Sequence, residues 1–127
     1  RFRWRLSGST KTDSNYYYNS NIVYQPNGST THNQTGGWGS DHVAISHFGN
    51  DNNERTLGEI TIFSPTVGAG YPSILYHSFA KDGTSQFACW NGGSTYNGAL
   101  TVDGVQLYTA SGNFTQTGFW SLHGIKK

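Results

Sequence analysis

Seven carboxylates, five histidines and one cysteine are the groups from which this 127-residue chain would have to build acid–base, metal or nucleophilic chemistry. Glycoside hydrolysis needs two carboxyls facing one cleft, about 5–10 Å apart. Asp13, Asp51, Glu54, Asp82 and Asp103 fall in or beside turn clusters, where such residues serve the backbone. Only Asp41 and Glu59 sit in strands or at their edges, and no motif makes them a convergent pair. A thiol nucleophile would need Cys89 activated by His42, His47 or His77. In Phe87-Ala-Cys-Trp90 the cysteine alternates with aromatics, the setting of a buried, inert thiol. Asp41 and His42 are adjacent and so point to opposite faces of a strand, and no histidine has a ligand-like spacing. The expectation is a chain with no catalytic residue, no metal site and no cofactor, and not an enzyme.

The aromatic and amide side chains form a more informative set. Sugar recognition uses flat aromatic faces against the C–H side of a pyranose and amides or carboxylates for its hydroxyls. Tyr16, Tyr17 and Tyr18 with Asn15 and Asn19 make one such run. Trp38 lies between Gly37 and Gly39 in an expected long loop over residues 26–40, close to Asp41. Trp90 and Asn91 stand at an expected strand-to-turn edge, before Gly92-Gly93. These seven residues, Trp38, Asp41, Tyr16, Tyr17, Tyr18, Trp90 and Asn91, are the candidate receptor-binding positions. Alternation sends part of the tyrosine run inward, Trp90 also suits a core or an interface, and Gly-Trp-Gly also suits a packing element. Three Asn-X-Ser/Thr sequons (Asn27, Asn33, Asn113) are expected by chance in a chain so rich in these residues.

The elements that must position these groups are strands. Gly, Ser, Thr and Asn supply 56 of the 127 residues and Met is absent, which excludes a helical bundle. Aromatics reach 15% and charged residues only 12%, the opposite of a disordered chain. A net charge of +1, with five of eight cations at the chain ends, leaves no basic stripe for nucleic acid. No apolar run approaches the 18 or so residues that span a bilayer, so no membrane insertion is expected. One cysteine excludes an intrachain disulfide. Period-two alternation predicts strands at 2–6, 16–24, 43–45, 57–63, 73–81, 85–91, 102–109 and 118–123. Turn clusters lie at 26–28, 49–53, 67–70, 81–83, 91–93 and 111–113, with Asp82-Gly83 and Asn91-Gly92 the strongest hairpin signals. The prediction is a single domain over residues 1–127, an all-β, jelly-roll-like antiparallel β-sandwich of about eight strands. Because the chain opens without Met inside a strand, it reads as a fragment of a longer polypeptide.

Four pieces of the sequence resemble a domain near the C-termini of tailed-bacteriophage tail-fibre and related virion surface proteins. They are the aromatic and charged first strand, Tyr16-Tyr-Tyr18 leading to Gly37-Trp-Gly-Ser40, the strand Gly58-Glu-Ile-Thr-Ile-Phe-Ser-Pro65, and the close. That close, Ser111-Gly-Asn-Phe114 then Gly118-Phe-Trp-Ser-Leu-His-Gly-Ile-Lys126, is similar to the family's ending, with His123 where the family usually has Tyr. The resemblance implies an extracellular virion module, a homotrimer at the end of an adsorption fibre, whose partner is a host cell-surface glycan or other receptor. It carries over no catalytic residue. The rival readings are a cap that trimerises a fibre, a small carbohydrate-binding module, and a glycan-degrading enzyme.

Overall fold

The structure is a computed structural model that describes residues 1–25, 29–46, 55–63, 70–81, 86–110 and 118–124. Among the described residues there are eight strands: β1 (Phe2–Leu6), β2 (Ser9–Thr10), β3 (Tyr16–Gln25), β4 (Thr31–Ser40), β5 (Arg55–Phe63), β6 (Ser73–Lys81), β7 (Phe87–Tyr96) and β8 (Gly104–Leu107). They form two antiparallel sheets, one ordered β2-β1-β8 and one ordered β4-β3-β7-β6-β5. Among the described residues there is no helix, and the fold is an all-β sandwich.

The core lies where the two sheets face each other. From β1, Phe2 and Trp4 meet edge to face at 4.9 Å and are almost completely buried. Ile74 and Tyr76 of β6, Tyr16 of β3, Tyr96 of β7, Val43 and Val102 close around them. Each such side chain contributes about 1.5–3 kcal/mol by leaving water. Tyr16 also bolts the sheets together, because its hydroxyl accepts from the Trp4 amide at 2.9 Å and donates to the Lys11 carbonyl at 3.0 Å. Burial pushes its phenol well above the usual value. A smaller cluster of Ile22, Ala88 and Trp90, with Tyr24 and Ala44 beside it, continues the inner face toward the far end of β3 and β7.

Several expected elements are revised. The segment from 31 to 40 is a strand, paired with β3 from Tyr24↔Thr31 to Tyr16↔Ser40. Its Thr, Asn, Gln and Gly give no apolar alternation, so its extension is imposed by hydrogen bonds from β3. Asn91-Gly92-Gly93 lies inside β7 and makes no turn. The ring of Tyr76 passes directly over Gly92 to reach Ser20 Oγ at 2.5 Å, and a Cβ there would stand 2.6 Å from that ring and 2.4 Å from the Asn19 carbonyl oxygen. Glycine is therefore required by close approach in mid-strand. Val43 makes only an isolated bridge to Phe2, through both its N–H and its carbonyl. Residues 118–124 pair with no described strand, and Phe119 stays 98% exposed. The turn clusters at 26–28, 49–53 and 111–113, most of 67–70, and Asp82-Gly83 lie outside the described residues. Flanking the last of these, Lys81↔Phe87 pair across adjacent antiparallel strands.

Candidate functional site

Alternation gives the five-stranded sheet one face on the core and one outer face, and the register aligns outward residues into rows across the strands. One row runs Gly36, Asn19, Gly93, Leu75, Thr61 from β4 to β5. The next runs Gln34, Asn21, Asn91, His77, Glu59. The third runs His32, Val23, Cys89, Phe79, Leu57. The outer face thus divides in two. Toward β4 it presents amides and aromatic rings; toward β5 it exposes Leu57, Phe63, Leu75, Phe79 and Phe87 on either side of the polar His77 and Glu59, with the rings of Phe79 and Phe87 stacked at 5.8 Å.

Trp38 stands out on the polar half, 88% exposed, with its ring 4.7 Å from that of Tyr17 and inclined by 44°. Local geometry explains the display. The register slips between Tyr16 and Tyr18, a β-bulge that re-aims the β4 strand at this point. Gly39 takes a left-handed φ of 67°, while Gly37 lies under the Tyr18 ring, which a Cβ would meet at 2.3 Å. Gly-Trp-Gly is therefore both things at once: the glycines are packing requirements and the indole is free. Asn97 Nδ2 donates to the Tyr17 hydroxyl at 3.2 Å and steadies that ring. Asn19, Asn21, Gln34 and Asn91 are exposed beside and below the pair, with no side-chain hydrogen bond among the described residues. An open depression of about 400 Å³ lies at the β3–β4 edge, lined by Asn21, Ile22, Val23, His32, Asn33 and Gln34.

The structure separates the seven sequence candidates. Tyr17, Trp38 and Asn91 share the outer face. Tyr16, at 0% exposure, and Trp90, at 6%, belong to the core, so neither ring can meet a ligand without opening the sandwich. Tyr18 points inward and packs half-buried against the main core. Asp41 does not offer a free carboxylate. One oxygen is bonded by the Arg3 guanidinium and the other by His42 Nδ1 at 2.6 Å, while Arg3 Nε donates to the Asp41 carbonyl at 2.8 Å. The His42 hydrogen bond, reinforced by Arg3 and opposed by partial burial, holds this carboxyl below its usual range. Arg3 also lies over the Tyr108 ring at 4.5 Å. Asp41 is thus a pin between the end of β4 and β1. Asp41 and His42 meet because the chain bends there, where an extended reading had set them on opposite faces.

Asn21, Gln34 and Asn97 were missed by sequence reasoning. Asn21 follows from Tyr17 by strand parity, whereas Gln34 becomes visible only once β4 is paired. Cys89 is on the outer face, half-buried between Val23 and Phe79, rather than in the core. Among the described residues no three His, Cys, Asp or Glu side chains gather as a metal would require. No protein-family model, curated protein or solved structure matches the chain. What the arrangement offers chemically is an exposed indole face inclined to a tyrosine ring, with unengaged amides on the same face of the sheet.

Proposed function

We propose that this domain is a non-enzymatic attachment module that binds a cell-surface glycan. The observation that carries this reading is the Trp38 indole, held out over Tyr17 beside amides that no described side chain engages. An exposed tryptophan on a bulged strand gives the fold little, while an indole face and neighbouring amides suit the C–H face and the hydroxyls of a pyranose. Placement at the distal end of a bacteriophage tail fibre, outside the cell and on the virion, rests on the motif resemblance alone. Homotrimerisation is part of the same proposal. It is supported by Phe119, Trp120 and Leu122, since neighbouring exposed apolar side chains mark protein–protein contact. Weak single-sugar sites gain from three copies per fibre through effective concentration.

A structural cap is the second reading, favoured by the exposed Phe119, Trp120 and Leu122 near the end of the chain. Labelled protein titrated onto candidate host cells separates the two. The attachment reading expects saturable binding that polysaccharide extracted from the same cells competes away. Binding that ignores the polysaccharide, or no binding by a folded oligomer, favours the cap. Reducing-sugar release from that polysaccharide would overturn the non-enzymatic reading.

A further inference from the structure

We propose that the row Gln34, Asn21, Asn91, His77, Glu59 is the seat of an uncharged, linear polysaccharide laid across the strands. The inference rests on the glycan reading and adds the shape and class of the ligand. All five side chains are polar and exposed, and each strand of the sheet contributes one. Among the three inner rows of this face it is the one in which every position is polar. Strands stand about 4.8 Å apart, so the row spans roughly 19 Å. A pyranose unit in an extended chain is about one strand spacing long, so the four intervals of the row seat about four units, with a hydrogen-bonding side chain at either end of each. On one side the row is bordered by Val23, Cys89, Phe79 and Leu57, apolar surface for sugar C–H groups. On the other, Gly36 and Gly93 raise no side chain beside Asn19, although Leu75 leans to within 3.2 Å of where a Gly93 Cβ would be. Glu59 is the row's one carboxylate, and it disfavours an acidic glycan.

Tyr17 lies four residues from Asn21 along β3, about 13 Å away. The aromatic pair and the row are therefore separate contacts, and they fail separately. The test titrates the full chain with oligomers of β-1,4-glucose, α-1,4-glucose and β-1,4-N-acetylglucosamine, one to six units long, and with galacturonate oligomers as the acidic counter-probe. One neutral series should bind more tightly with each unit up to about four, then level off, with the acidic series weaker. The double variant Asn21→Ala/Asn91→Ala should lose about five-fold in affinity per amide for the long oligomers. It should leave the melting temperature unchanged, since both substitutions are on exposed surface. Trp38-dependent binding with no length dependence, or a double variant that binds long chains normally, overturns the proposal and leaves the glycan reading standing. If neither these oligomers nor host polysaccharide bind, both fall.

Discussion

Replacing Trp38 by Ala should weaken ligand binding strongly while hardly touching the fold. The indole is 88% exposed, so truncation returns little buried area to water. The main loss is the contact with Tyr17 at 4.7 Å, an aromatic pair of about 0.5–1.5 kcal/mol. At this chain length that is a fall of a few degrees in melting temperature. Trp4, 1% exposed, is the internal control: its truncation should remove about 3–5 kcal/mol and most of the native population with it. On the binding side, loss of an exposed aromatic anchor is worth about 2 kcal/mol, or roughly thirty-fold in Kd per site. The measurement pairs a circular-dichroism melt with a per-site titration against soluble glycan, because cell adsorption by an oligomer multiplies small differences. Trp38→Phe should recover most of the affinity. Native-like binding by well-folded Trp38→Ala protein would refute the site. A drop of ten degrees or more, with binding falling in step, would show instead that the indole packs.

Three further outcomes follow from the packing and the charges. Gly92→Ala should destabilise the domain by about 1–3 kcal/mol or more, because a Cβ would stand 2.4 Å from the Asn19 carbonyl oxygen and 2.6 Å from the Tyr76 ring. Gly104→Ala, with 3.7 Å to Arg5, should stay within about 0.5 kcal/mol, and equal losses in denaturant melts of the two would contradict this account. Asp41 is held below the usual carboxylate range by His42 and Arg3; for Asp13, hydrogen bonds from Tyr96 and Lys11 overcome the opposing effect of burial. A depressed folded pKa contributes stability that is present above the unfolded value near 4 and lost as pH falls through the lower folded values. Melting temperature should therefore drop below about pH 4, and Asp41→Asn should flatten that acid limb; an unchanged slope removes Asp41 from the explanation. Light scattering should give about three times 13.9 kDa, and the double variant Phe119→Asp/Leu122→Asp should shift it to monomer, whereas a monomer from the start would sink the trimer proposal.

Strands with one apolar face were legible residue by residue. The bounds Phe2–Leu6 of β1 coincide with the alternation of Phe2 and Trp4 inward against Arg3 and Arg5. The same rule fails for β4, whose sequence Thr-His-Asn-Gln-Thr-Gly-Gly-Trp-Gly-Ser has no period to read. Its structure comes from β3, through eight paired positions that are a property of two segments and of neither alone. Gly92 shows the converse, where a turn-like dipeptide is a clearance for a ring sixteen residues earlier in the chain. The site divides along the same line. Trp38 was legible because its type and its flanking glycines are local facts, whereas the engagement of Asp41 by Arg3 depends on a contact 38 residues away in sequence. Asn19, Asn21, Gln34 and Asn91 are unremarkable in a chain with eleven asparagines. They become a surface only when the register of β4, β3 and β7 sets them side by side on the outer face. A one-residue slip in that register would turn Tyr17 and Asn21 inward and Tyr16 and Ser20 outward. The buried bond between Ser20 and Tyr76 and the bolt from Tyr16 to Trp4 therefore hold the outer face in place as well as the core.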